Sequence, residues 1–406
     1  MNPWRGLGDL PKEIWILFTA TLVNRAGLMA LPFLVLYLTQ QIGLTAGRAG
    51  FVLTVYGIGA LLTSPLAGRL CDHVGALRIM KMSLLLTGLL LLLFPLTGSF
   101  AGIVALTFIW AVVSEAFRPA SMTMIVDASA PDQRKQAFAV YRLAANLGMS
   151  IGPAVGGLLA TVSFASLFLV DGATTLAAWA VLQLSKWPVI KPAHHTAHTG
   201  STTGAAHSGG ILADRAFLWL LVSMLPVVMV FFQFQSSMPL FLVRDLHFSE
   251  SAYGLLFTIN TLMVVGLEIP INTATAHWPH RVTLALGALL CGTGFGSLMF
   301  VHSFAGAALA SSLWTLAEII LFPGLSATVG DIAPPDRRGR YMGVFQMTFS
   351  LAFSLGPWLG TQALDRYGAR LLWSGAFLCS LLSAAMLSRI SARPSHETSS
   401  VASAAE

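Results

Sequence analysis

Apolar runs of roughly 18 to 25 residues follow one another along this 406-residue chain with only short polar breaks between them, and each is long enough to cross a bilayer as a helix. Backbone polar groups in lipid must be satisfied internally, which admits helices and closed barrels only. No stretch alternates at period two as barrel strands do, so the chain is read as all-α, a polytopic membrane protein. About twelve spans are expected, near 14–38, 50–70, 77–97, 102–126, 137–161, 165–185, 216–241, 251–273, 282–301, 305–329, 341–362 and 370–390. Composition agrees: 55% of residues are hydrophobic and 10% charged, outside the range of soluble domains. The run from Ile14 exceeds a signal-peptide core and is read as a retained first helix.

An even number of spans puts both termini on one side, and the basic residues say which. With a cytoplasmic N-terminus, the inner segments carry Arg5, Lys12, Arg69, Arg78, Lys81, Arg134, Lys135, Lys186, Lys191, Arg215, Arg281, Arg337, Arg338, Arg340, Arg389 and Arg393. The outer loops carry Arg48, Arg244, Arg366 and Arg370, and Arg25, Arg118 and Arg142 fall within spans. Sixteen against four is a positive-inside pattern. It places the chain in the cell inner membrane, multi-pass, with both termini cytoplasmic, and it accounts for the net charge of +6 without nucleic acid.

The chain is also duplicated. Asp127, Pro131, Asp132, Gly152, Pro153 and Gly156 recur as Asp331, Pro335, Asp336, Gly356, Pro357 and Gly360, each pair separated by 204 positions. At the same offset SFAG at 99–102 returns at 303–306, Trp110 as Trp314 and Pro119 as Pro323. Two pseudo-symmetric six-helix bundles are expected, 1–186 and 215–390, joined by a cytoplasmic linker at 187–214 and followed by a tail at 391–406. The linker is rich in Gly, Ser, Thr and Ala, and its His194, His195, His198 and His207 are read as a solvated spacer rather than a metal site. Cys71, Cys291 and Cys379 are too far apart for a metal or disulfide motif.

After the second span comes GRLCDHVGALRIMK, in which Gly68, Leu70, Asp72, Gly75 and Arg78 are spaced as in the signature loop of the major facilitator superfamily. With the duplication and the central linker, the whole chain resembles that family. His73 and Ala76 depart from the usual signature. The resemblance implies that this loop, through Asp72, Gly75 and Arg78, latches the cytoplasmic side during conformational change. Gly148, Gly152, Pro153, Gly156 and Gly157 look like the glycine-rich motif of its drug-proton antiporter branch, with Gly356 and Pro357 as the repeat. They are read as a pivot or as close helix packing. The Arg common near the outer start of the fourth span in that branch is missing, and Trp110 lies in its neighbourhood.

Ionisable residues inside spans cost at least about 2.5 kcal/mol each on insertion scales and so face the bundle interior or water. Arg25, Glu115 and Glu318 fall near mid-membrane; Arg118, Arg142 and Glu268 fall in the cytoplasmic half. The resemblance implies a cavity lined by the first, fourth, seventh and tenth helices, which here carry Asn24 with Arg25, Glu115 with Arg118, Gln233 with Gln235, and Glu318. Glu115 and Arg118, three apart, share a helix face and can pair. Glu318 sits one position from the repeat of Glu115 and has no basic residue near it in sequence, so the two carboxylates are the leading proton-coupling candidates. Arg142, whose repeat partner is Gln346, is read as binding a substrate anion, pairing with Glu115 or packing beside headgroups. Asp127, Asp171 and Asp331 are placed at helix ends as caps or partners of loop arginines.

Zinc-binding His pairs, a Walker A loop, a GxSxG elbow and paired Cys are missing from the sequence. No enzyme, cofactor or metal is expected. The function read is secondary active transport, proton-coupled export of a small amphipathic or hydrophobic compound by alternating access. Small-molecule substrate, protons and membrane lipids are the expected partners of a monomer, and nucleic acid is not. A lipid or lysolipid transporter of the same fold is the alternative; a sensor that binds without transport is a weaker one.

Overall fold

The computed structural model describes residues 10–130, 133–187, 214–275, 277–334 and 337–390. The linker histidines, Pro131, Asp132, Pro335, Asp336 and the tail lie outside them. Every described element is helical, and eleven helices are long and apolar enough to cross a membrane. In chain order the fourteen described α-helices, some of which join into one span, are α1 (Lys12–Ala26), α2 (Ala30–Leu36), α3 (Ala46–Val74), α4 (Ala76–Leu93), α5 (Phe100–Glu115), α6 (Phe117–Ala128), α7 (Arg134–Val162) and α8 (Phe164–Leu184). Then follow α9 (Arg215–Phe231), α10 (Ser237–Pro239), α11 (Glu250–Thr275), α12 (His280–Ser297), α13 (Phe304–Ile332) and α14 (Arg338–Leu387).

Three elements differ from the twelve uniform spans expected. The first span runs over Lys12–Gln41 but is interrupted at residues 27–29, between α1 and α2. The fourth is interrupted at Ala116, between α5 and α6. The last two expected spans run together as α14, whose 50 residues bend at Gly368, φ 79° and ψ 171°. That conformation is one a side chain resists, so the eleven candidate helices still make twelve passages. Gly75, φ 93°, likewise separates α3 from α4.

The described residues fall into two compact units. One is drawn from Met1–Ala205, Phe234–Leu262 and Pro357–Arg366, the other from Ala206–Gln233, Met263–Gly356 and Tyr367–Glu406. In the first unit an aliphatic core holds the start of α1, the end of α3, the start of α4, α6 and α7 together through buried Ile14, Leu17, Met80, Ile125 and Val140. Toward the loops at 42–45 and 97–99, rings pack in sequence. Phe94 stacks on Phe168 at 4.7 Å, Tyr37 meets Phe168 edge-on at 4.7 Å, and Trp110 meets both Phe94 at 5.8 Å and Tyr56 at 5.3 Å.

Glycines allow close backbone approaches in this unit. A Cβ on Gly254 would lie 2.6 Å from the Pro153 carbonyl, and one on Gly157 would lie 2.8 Å from the Glu250 carbonyl. The Tyr253 hydroxyl donates to the Phe234 carbonyl at 2.8 Å. Arg244 donates to Asp245 at 2.7 Å and to Asp365 at 2.8 Å. Partial burial works against its charge, but these carboxylates outweigh it and hold the guanidinium above its ordinary pKa.

In the second unit, Trp373 and Phe295 are fully buried with stacked rings 6.2 Å apart, and Gly294 of α12 abuts the backbone of Trp314. His280 and Asp331 bridge α12 and α13 at 2.8 Å; where the sequence suggests a helix cap or a loop-arginine partner for Asp331, histidine is the partner found. None of the three cysteines forms a disulfide.

Candidate functional site

The two interruptions in the first unit face one cavity. α1 ends at Ala26, where Gly27 turns the chain and its N–H falls back on the Val23 carbonyl at 3.2 Å. The Met29 and Ala30 amides at the start of α2 are left without intrahelical acceptors, as the first amides of any helix are. Asp171 on α8 supplies the acceptor: Oδ2 takes the Met29 N–H at 3.1 Å and the Ala30 N–H at 3.0 Å. The Thr175 hydroxyl donates to Asp171 Oδ1 at 3.5 Å, and Asn24 Nδ2 donates to Thr175 at 3.2 Å. Asp171 is therefore a cap, as expected of it, but for a broken helix across the bundle rather than its own.

On the other side of the cavity Glu115 closes α5. Tyr56 on α3 donates its hydroxyl to Glu115 Oε1 at 3.0 Å and lies 3.3 Å from Ser114 Oγ. Glu115 does not pair with Arg118: the interruption at Ala116 ends the helix between them, Arg118 is exposed, and the carboxylate takes the tyrosine instead. The shared helix face assumed from sequence does not exist there.

The cavity is lined by Asn24, Arg25, Tyr56, Ser83, Thr87, Glu115, Arg118, Asp171 and Thr175 among others, and measures about 50 Å³. At ~15 Å³ apiece it has room for about three waters. Leu84 and Phe117 floor it on the aliphatic core and Trp110 joins it to the aromatic layer. Arg25 brings a positive charge to the same space as two carboxylates, and its Nε is buried without a hydrogen-bond partner, as is the Thr87 hydroxyl. Two acids, two cations and a chain of hydroxyls around room for a few waters form a setting in which protons can be held and passed.

Four sequence-predicted residues, Asn24, Arg25, Glu115 and Arg118, thus meet in one cavity. Arg142 is exposed on α7 and does not line it. Gln235 belongs to the same unit, with its Oε1 buried and unbonded. In the second unit Gln233 donates to the Met229 carbonyl at 3.0 Å and the Gly356 carbonyl at 2.8 Å, holding α9 against α14. Glu268 on α11 and Glu318 on α13 are half-buried there, and Gln346 on α14 is exposed. Asp72 lies in the last turn of α3, its side chain outside what is described, and Arg78 on α4 is exposed.

The glycines of α7 sit directly on the first interruption. A Cβ at Gly148 would lie 2.5 Å from Arg25 Cβ, at Gly152 2.7 Å from the Leu28 carbonyl oxygen, and at Gly156 2.7 Å from Met29 Cβ. Sequence reasoning missed Tyr56 and Thr175 and gave Asp171 no part in the site. Gly27 inside the first apolar run was the one available signal.

Comparison with known proteins places this geometry. The family model described as Major Facilitator Superfamily matches residues 17–357 and 234–406. The chain belongs to the major facilitator superfamily. It is 25% identical over 370 residues to a protein of Planococcus maritimus named "Na(+), Li(+), K(+)/H(+) antiporter", covering 82% of this chain and 85% of that one. It is 25% identical over 362 residues to the multidrug resistance protein MdtH of Aeromonas hydrophila, covering 87% of each. A crystal structure of a POT family transporter in complex with 5-aminolevulinic acid superposes with a TM-score of 0.77 at 14% identity, covering 95% of this chain and 97% of that one. That likeness is one of fold. The all-α, multi-pass membrane architecture and the small-molecule transporter class follow from the family.

Proposed function

We propose that this member of the superfamily exports a small amphipathic or hydrophobic compound in exchange for protons by alternating access. The observation that carries the reading is the water-sized cavity in which Arg25, Glu115 and Asp171 meet, since ionisable groups inside a span are otherwise too costly to keep. It is too small for a drug-sized molecule, so its occupants are water and protons. The names of the two relatives, one a cation/proton antiporter and the other a multidrug resistance protein, support exchange and export in turn. Within this reading Glu115 and Glu318, which stands one position from the repeat of Glu115 in the two sequence halves 1–186 and 215–390, are the coupling carboxylates. The protein sits in the inner membrane as a monomer with both termini cytoplasmic.

The test is reconstitution into vesicles with an imposed pH gradient and ethidium as the probe. Gradient-driven flux is expected to fall about tenfold or more in Glu115→Gln and Glu318→Gln, the scale on which a proton-transfer group acts. Probe exchange without a gradient is expected to stay within about twofold, because a step that moves no net proton does not need the acid. Parent flux indifferent to the gradient overturns the proton-coupled reading.

A further inference from the structure

Asp171 is a buried acid to which the function above gives no role of its own. It is 2% exposed, yet it lines the same cavity as Arg25 and Glu115, and its Oδ2 alone receives both amides that the first span's interruption leaves over. The interruption is thus gripped from two sides. On the α7 side the grip is fixed: Gly152 admits no Cβ against the Leu28 carbonyl oxygen, and backbone contact of that kind does not titrate. On the α8 side it is a carboxylate, and a carboxylate is an acceptor whose strength depends on its proton. We propose that Asp171 is a proton-binding positioning residue: ionised, it holds residues 27–30 in the interrupted form, and protonated from the cavity water it releases the Met29 and Ala30 amides, resetting Arg25 at the end of α1.

The step moves one proton between cavity water and an Asp171 carboxylate oxygen and breaks no covalent bond other than that to the proton. Charge-assisted bonds are about twice as strong as neutral ones, so protonation weakens both amide contacts together. Around Asp171 the titratable or charged groups are Arg25 from α1, Tyr56 from α3, Glu115 from α5 and Arg118 from α6. α4 contributes Ser83 and Thr87, α7 its glycine face, and α2 its backbone amides. Arg25 stands one residue before the last residue of α1, so any rewinding of residues 27–29 turns it. The inference rests on the proton-coupled reading for its use in transport, but its physical content can be measured without any substrate.

The experiment uses the full-length protein in lipid vesicles. Infrared spectra are recorded across an acid titration, and amide hydrogen exchange of residues 27–31 is followed by mass spectrometry against α4 as internal reference. A protonated-carboxyl band that the parent shows and Asp171→Asn lacks is expected. Over the same pH interval exchange at Met29 and Ala30, corrected for its chemical rate, is expected to quicken about tenfold in the parent and to stay flat in Asp171→Asn, which keeps an acceptor oxygen; Asp171→Glu is expected to restore the pH dependence. A purely structural cap gives no such pH profile. If Asp171→Asn does not fold, the parent exchange curve decides alone: no pH-linked change at residues 27–31 overturns the inference. Ethidium flux driven by a pH gradient is measured in parallel. Absent coupling with an intact Asp171 response overturns the proposed function and leaves this inference standing; coupled flux with a flat response does the reverse.

Discussion

Tyr56 and Glu115 form a contact whose strength can be isolated. Tyr56→Phe removes the hydroxyl that donates to Glu115 Oε1 and is expected to lower stability by about 1 kcal/mol. A double-mutant cycle with Glu115→Gln, read from SDS-unfolding midpoints, is expected to return a coupling of about 1 kcal/mol; zero coupling would mean the hydroxyl and carboxylate ignore each other. Asp171→Ala is more severe, since it takes the carboxylate acceptor from both the Met29 and Ala30 amides in a buried site, at about 3 kcal/mol for the pair. The same assay reads it, and a loss below about 1 kcal/mol would show that water replaces the carboxylate. At this scale the sequence was legible where residues are unusual for their surroundings: Arg25 and Glu115 stand out in apolar runs. Tyr56 and Thr175 do not, because a Tyr or Thr in a span is ordinary, and their partners arrive from helices 59 and 151 positions away.

Helix lengths, order and the duplicated glycines could be read from the chain because lipid imposes a length on every passage and forbids exposed backbone. The interruptions could not. A break leaves the apolar pattern intact, and what stabilises it, Asp171 for the first span, lies on another helix. Glycine shows the same division between pattern and cause. The sequence shows Gly152 and Gly266 as equal members of helices, but a Cβ at Gly152 would meet three backbone carbonyls, 2.7, 3.1 and 3.2 Å away, whereas nothing lies within 4 Å at Gly266. Backbone cannot rotate aside as a side chain does. Gly152→Ala is expected to cost about 1–3 kcal/mol through overpacking, while Gly266→Ala is neutral or gains a few tenths of a kcal/mol from helix propensity. Equal effects would mean α7 does not press on the interruption. Gly368→Ala, forced into positive φ, is expected to cost about 1 kcal/mol or more, checked by thermal unfolding in detergent.

For the molecule as a whole, the number of passages fixes topology and the bend at Gly368 fixes that number. Were α14 a single span, eleven passages would put the termini on opposite sides, and Arg389 and Arg393, which follow it, would leave the side that carries the other inner basic residues. With the bend counted, the sixteen-to-four distribution of Lys and Arg is consistent along the entire chain. In the proposed orientation Arg78, following Gly75, would face the cytoplasm, and Arg366, two residues before Gly368, would face outward. Both are exposed, so both can be replaced by cysteine in a background in which Cys71, Cys291 and Cys379 have been substituted. A membrane-impermeant maleimide added to intact cells is expected to label Arg366→Cys and to reach Arg78→Cys only after permeabilisation. Labelling of both sites in intact cells would refute a passage between them, and the inverted pattern would refute the orientation while sparing the count. The outcome bears on the cavity as well, because the aliphatic core lies toward the α3–α4 turn and the aromatic layer toward the loops at 42–45 and 97–99. Whichever turn faces the cytoplasm decides which layer stands between Asp171 and each bulk phase, and hence from which side its proton arrives.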